Sequence, residues 1–297
     1  MQERLGFPRG LWARLADRGR AAGPALAAVL AGLAAPAAAL PSLATQPAAA
    51  PTEQPALWVL SDTDTTIYLF GTFHALDERT DWFARDVRAA FNSSDELVLE
   101  TLVPSDPAEL FASLQRHSLA APMVPGSPVV DTARGSFGAS AGKTMEAGRS
   151  VGLTTERGAD AVLRRTAAAE GKPVDGLESF DFQLGMVASL PAAAPAARTA
   201  AANNAPDAGR ILVDMRSAWR RGDASRFAAV LGSLEAQSPV TYQRLFVDRN
   251  THWARWIAQR MERPGTVFVA VGTGHLIGRD SVQQKLASRG FRATRIR

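Results

Sequence analysis

The chain of 297 residues has four histidines, and two of them share one local setting. His74 ends "IYLFGTFH" and His275 ends "VFVAVGTGH", each three residues beyond a glycine that closes an apolar run. A strand that ends in Gly-Thr-x-His delivers its imidazole just past the strand's C-terminal end, where ligands bind in open α/β sheets. Gly71 and Gly272 permit the tight turn and let a ligand approach the backbone. Packed side by side, the two units would bring His74 and His275 to one point, and neutral imidazole is the commonest metal ligand. One such histidine would simply finish its strand with hydrogen bonds; the matched pair argues for a shared site.

Other polar residues fall at matching places. Glu100 ends "ELVLE" and, given a parallel crossover, lies on the same sheet edge as His74. It would be a third ligand or a general base, against the plainer reading of a solvated strand-end carboxylate. Glu178 in "GLESFDFQ" is a second such carboxylate, and Gln183 either contacts a ligand or lies at the surface. On "PVTYQRLFVDRNTHWARWIAQRME" the apolar stripe Tyr242, Leu245, Phe246, Trp253, Trp256, Ile257 is broken at Arg249 and Asn250. A buried arginine needs a partner. Arg249 therefore holds a substrate carboxylate or an oxyanion, or else forms a structural ion pair with Glu100 or Glu178. His252 reads as peripheral and His117 as a surface residue. Nitrogen and oxygen donors of this kind suit Mn, Co or Zn.

Composition removes several alternatives. With no cysteine there are no disulfides, thiolate nucleophiles or cysteine-held metals. There is no Gly-x-Ser-x-Gly elbow, His-Glu-x-x-His, Walker loop or Gly-x-Gly-x-x-Gly. Residues 1–50 carry five arginines against Glu3 and Asp17, so they supply +3 of the formal net charge of +4. The remainder is nearly neutral and carries no nucleic-acid footprint. Basic residues followed by the uncharged "AAGPALAAVLAGLAAPAAALPSLA" read as a signal peptide over residues 1–39, with a retained anchor as the alternative. That places the mature chain in the periplasm or outside the cell, with no stable membrane span after cleavage. Residues 40–56 read as a linker and 57–297 as one domain.

The elements that position these residues follow from periodicity. Leu57–Leu60 and Thr66–Phe70 flank "SDTDT" as a hairpin. "DWFARDVRAAF" is a helix and "DELVLE" a strand. A helical, Ala/Pro-rich stretch over roughly residues 104–262 includes a strand at "PVDGLES". "TVFVAVG" is a strand buried on both faces, "RDSVQQKLASRG" a helix capped by Gly290, and "FRATRIR" a last strand. The expected fold class is α/β: a central mixed, largely parallel sheet flanked by helices, built from two strand–GTxH–helix–strand half units.

Together, "LWVLSDTDTTIYLFGTFHAL", "DELVLE", "GLESFDFQ", "DRNTHWARWI" and "VFVAVGTGHLIG" resemble the TraB/GumN family, related to the Tiki metalloproteases and, more distantly, to erythromycin esterases and ChaN-like haem-binding proteins. The resemblance implies two GxxH histidines at His74 and His275, acidic partners at Glu100 and Glu178, and the pair Arg249–Asn250. It also implies divalent-metal-dependent proteolysis, Mn or Co favoured, on a peptide or small-molecule substrate. Asp248 departs from the family's usual Glu before Arg-Asn. A non-catalytic haem- or small-ligand-binding protein and a metal-free esterase using a histidine base are the alternatives.

Overall fold

The computed structural model describes residues 54–117, 137–191 and 208–296. The expected signal peptide, and the linker up to residue 53, lie outside these. The linker's last residues are already packed, with Gln54 buried.

The apolar, β-branched runs form one six-stranded sheet: β1 (Leu57–Ser61), β2 (Thr65–Thr72), β3 (Glu96–Thr101), β4 (Val174–Glu178), β5 (Gly265–Gly272) and β6 (Thr294–Arg295). The strand order is β4-β3-β5-β2-β1-β6. Neighbours from β4 through β2 pair in parallel, and β1 pairs antiparallel with β2 and β6. The β1–β2 turn is closed by Asp62, whose Oδ1 accepts from the backbone amides of Asp64 and Thr65.

Side-chain alternation splits the core into two layers. Phe70, Leu97, Leu99, Phe268 and Ala270 lie in one buried cluster, and Ile67, Leu69, Val98, Val267, Val269 and Val271 in the other. Burial on both faces is why β5 reads as an unbroken apolar run. On the first face lie α1 (Arg85–Ser93), α4 (Ala159–Ala169), α6 (Ala208–Arg220) and α7 (Ser225–Gln237). The second is covered by α9 (Arg249–Arg260) and α10 (Val282–Ala287). Between these elements come α2 (Pro107–Arg116), α3 (Phe137–Ser150), α5 (Phe180–Ala188) and α8 (Pro239–Tyr242).

The connection after β2 crosses β5 to reach β3, whereas the one after β5 crosses β2 and β1 to reach β6. The two crossovers thus leave in opposite directions, and right-handed connections then place their helices on opposite faces. Accordingly, Val87, Ala90 and Phe91 of α1 pack in the first layer and Val282 and Leu286 of α10 in the second. Adjacent strand ends whose connections diverge form the switch point where open α/β sheets bind ligands. Here that point lies between β2 and β5, the two strands that carry the GTxH turns.

Three local expectations need correction. The last strand is two residues long and lies at the far edge against β1, so the second half unit is not the positional equivalent of the first. α10 is shorter than "RDSVQQKLASRG", although Gly290 does adopt the left-handed conformation of a C-terminal cap, at φ 88°. The long helix "PVTY…" is interrupted by a π-helical turn (Gln243–Asp248) immediately before Arg249, a distortion found often at functional sites.

Candidate functional site

Strands β2 and β5 are aligned with Gly71 opposite Val271 and Thr72 opposite Gly272. The two motifs are therefore one residue out of step, and strand alternation turns their glycines to opposite faces. The histidines that follow are held by different elements. A Cβ on Gly71 would lie 2.9 Å from Thr273 Oγ1 and 3.3 Å from Thr273 Cα, so glycine lets the two turns close on each other. The Gly71 carbonyl accepts from the indole of Trp219 at 2.7 Å.

His74 faces α4. Its Nδ1 lies 2.7 Å from Asp160 Oδ2 in that helix's first turn. Three backbone bonds tie the segment down: Ala159 N to Phe73 O, Leu76 N to Thr154 O and Thr154 N to Leu76 O. Nε2 of His74 is buried and has no hydrogen-bond partner among the described residues. Burial opposes the charged ring, but the Asp160 carboxylate, by charge and hydrogen bond, raises the pKa to about 9. Glu100 adds to this and Arg249 opposes it.

His275 is fully buried, with Trp253 at 4.4 Å and Phe246 at 4.9 Å between ring centroids. Its Nδ1 lies 2.6 Å from Asn250 Oδ1. The Asn250 amide nitrogen is spent on the carbonyls of Asp280 (2.8 Å) and His275 (3.4 Å). Asn250 thus offers its oxygen, Nδ1 carries the proton, and Nε2 accepts from Arg249 Nη1 at 3.2 Å. Burial, then the guanidinium charge, holds His275 neutral with a pKa of about 3, against the pull of Glu100.

Arg249 is the hub. Nε donates to both oxygens of Glu178 at 3.0 Å, and Nη2 donates to Glu178 Oε2 at 2.8 Å and Glu100 Oε1 at 2.6 Å. Nη1 serves His275 and, at 3.3 Å, the Leu245 carbonyl. A guanidinium has five N–H donors, and these contacts engage all of them. The expected ion pair therefore forms, with both carboxylates at once, and Arg249 keeps no donor for an oxyanion. Glu100 also accepts from Gln183 Nε2 (2.8 Å) and the Gly272 amide (3.0 Å), and Glu178 from Trp253 Nε1 (2.9 Å). Burial pushes the Glu100 carboxyl up, but Arg249, His275 and His74 more than reverse this and hold it far below the usual carboxylate range. Glu178 is pushed up by burial and by Glu100, although Arg249 and Trp253 pull it down. Every group touching it donates, so it too stands as a carboxylate.

The structure thus joins Glu100, Glu178, Gln183, Arg249, Asn250, Gly272 and His275 in one buried network. His74 reaches it only through the electrostatic field. Gln183 is buried rather than superficial. His252 is exposed, as expected. His117, expected at the surface, is half-buried with its Nε2 3.3 Å from Asp181 Oδ2. Asp160, the Trp253 indole and Thr72, whose buried Oγ1 has no partner among the described residues, were not legible in the sequence. Asp160 in "ERGADAVL" reads as an ordinary first-turn acid.

These residues do not fit a divalent ion as arranged. The His275 lone pair already accepts from Arg249, both carboxylates are committed to N–H donors, and the guanidinium sits where the charge of a cation would act. Among the described residues no group of three histidines or acids is placed to hold a metal.

No described helix is long and apolar enough to cross a membrane. No solved structure matches the chain. It is similar to the uncharacterized protein YbaP of Escherichia coli K12 and of Shigella flexneri, each 31% identical over 136 residues, 46% of this chain and 50% of theirs. The aligned segment thus spans about half the length of these relatives. The model of the TraB/PrgY/gumN family matches residues 56–132 and 107–295. With both GTxH turns and the Arg249–Asn250 pair inside those bounds, the chain belongs to the TraB/PrgY/gumN family.

Proposed function

We propose that the chain is a hydrolase of ester or peptide carbonyls in which His74, not a metal ion, carries the proton. One observation supports this above others: His74 is held by Asp160 through Nδ1, while Nε2 is buried without a partner among the described residues at the β2–β5 switch point. A histidine anchored through one nitrogen and free at the other is the arrangement of a general base. Once neutral, as pH passes about 9, His74 Nε2 would take the proton of an attacking water and return it to the leaving alkoxide or amine, with Asp160 stabilising the imidazolium in between. The Thr72 hydroxyl, without a partner among the described residues, would donate to the carbonyl oxygen as it becomes an anion. Arg249 keeps Glu100 and Glu178 ionised, so the cluster meets His74 with negative charge.

Metal-dependent proteolysis, which the family resemblance implied, would require Arg249 to leave His275 Nε2 first. Hydrolysis of a panel of chromogenic esters and peptides, with and without chelator, decides between the two. Turnover that survives the chelator and is lost in His74→Gln supports proton transfer by His74. Turnover abolished by chelator and restored by Mn, Co or Zn overturns it. The N-terminal pattern of residues 1–39 supports export, which a mature N-terminus at Leu40 in the periplasmic fraction would bear out.

A further inference from the structure

We propose that Asp160 is the positioning residue of the site: it fixes the orientation of His74 and holds a proton on Nδ1, so that Nδ1–H points to α4 and Nε2 points to the sheet's ligand end. The inference rests on the hydrolase reading for its catalytic meaning, but its geometric content stands apart from any activity.

Three features carry it. First, the Nδ1–Oδ2 distance of 2.7 Å is that of a charge-assisted bond. Second, the two partners sit on segments that cannot move independently. Residues 154–159 and 73–76 exchange three backbone hydrogen bonds, and a Cβ on Gly158 would lie only 2.1 Å from the His74 carbonyl oxygen. Glycine at 158 is thus a condition for bringing Asp160 against the ring. Third, the two GTxH histidines end in opposite chemical states although their motifs match. Asn250 supplies an oxygen to His275 Nδ1 and Arg249 occupies Nε2, whereas at His74 a carboxylate takes Nδ1 and no described residue takes Nε2. Of the two matched rings, His275 is bonded at both nitrogens and, among the described residues, His74 is bonded at Nδ1 alone. Asp160 makes the difference, because among the described residues no other group bonds the His74 ring.

With only four histidines in the chain, proton and nitrogen NMR of the imidazoles gives a direct readout. The wild-type protein should show a low-field, exchange-protected Nδ1–H resonance that disappears in His74→Gln. In Asp160→Ala, and in the isosteric Asp160→Asn, that resonance should be lost or moved upfield by several ppm while the far-UV spectrum stays native. Asp160→Glu should restore part of it. The resonance unchanged in Asp160→Asn and Asp160→Ala, both folded, overturns the proposal. If hydrolysis is detected, Asp160→Asn should lower kcat by about 10²- to 10⁴-fold at nearly constant KM. A native KM with undiminished kcat also overturns it. If no hydrolysis is found, the hydrolase reading fails while the NMR result still decides the role of Asp160.

Discussion

Arg249 Nη1 donates to His275 Nε2 across 3.2 Å. Because Asn250 fixes the proton on the other ring nitrogen, this contact uses the only lone pair His275 has. The same guanidinium bridges Glu100 and Glu178, which come from β3 and β4. One buried cation from α9 therefore joins two strand ends to the β5 turn, in the role a metal would otherwise play.

A first prediction follows. Removing metal should leave the fold untouched: the thermal midpoint of the protein with and without chelator should agree within error, and added Mn, Co or Zn should not raise it. A ligand bound at 100 times its Kd would stabilise by about 2.7 kcal/mol, so a real site would be easy to see.

Arg249→Met should be severely destabilising. It leaves Glu100 and Glu178 buried without a counter-charge, a defect worth roughly 3–5 kcal/mol, read as a fall in urea midpoint. Arg249→Lys should rescue only part, since an ammonium cannot supply the bidentate fork to Glu178 together with the reach to Glu100. A triple replacement of Arg249, Glu100 and Glu178 by apolar residues of similar volume should cost less than Arg249→Met alone.

Periodicity made much of this cluster legible. The echo of "GTFH" in "GTGH" located the switch point, and the break in the apolar stripe located Arg249 and Asn250. What periodicity cannot carry is pairing across the fold. That Asp160, 86 residues from His74, closes on its ring depends on the crossed backbone bonds at Leu76 and Thr154. The one-residue slip between the motifs depends on strand register, which sequence similarity alone would have set at zero. The brevity of β6 has the same origin: "FRATRIR" has strand character, but its place at the sheet edge leaves it a single neighbour, β1.

The His74–Asp160 pair should make stability fall on the alkaline side. A histidine whose pKa rises from 6.5 unfolded to about 9 folded stabilises the protein fully below 6.5 and loses that stabilisation as pH passes 9. The shift corresponds to roughly 3 kcal/mol. Urea unfolding of wild type and His74→Gln should differ most below pH 6.5 and converge above pH 9. A gap that does not change across this range would show that the pair does not titrate with the fold.

If His74 is the base, kcat/KM for any hydrolysed substrate should climb with pH and level off near 9, because only the neutral ring accepts a proton. In Asp160→Asn the plateau should be reached at lower pH, since burial then acts without the carboxylate that opposes it.

Gly158→Ala tests the clamp that brings the dyad together. The added methyl would meet the His74 carbonyl oxygen at 2.1 Å and its carbon at 2.6 Å, far inside van der Waals contact and against backbone on both sides. Neither segment can yield alone, because Ala159 N is bonded to Phe73 O and Leu76 to Thr154. The variant should lose roughly 2 kcal/mol or more, in the range of overpacking at tight contacts, with a lowered urea midpoint. It should also lose the low-field Nδ1–H resonance of His74 while Asp160 and His74 are both still present. Gly152→Ala is the comparison: it lies in the same connection at φ 80° with no described atom within 4 Å of its Cβ position. It should cost only the backbone strain of about 1 kcal/mol and leave the resonance in place. The contrast separates a general loss of stability from the specific loss of the contact that aims His74.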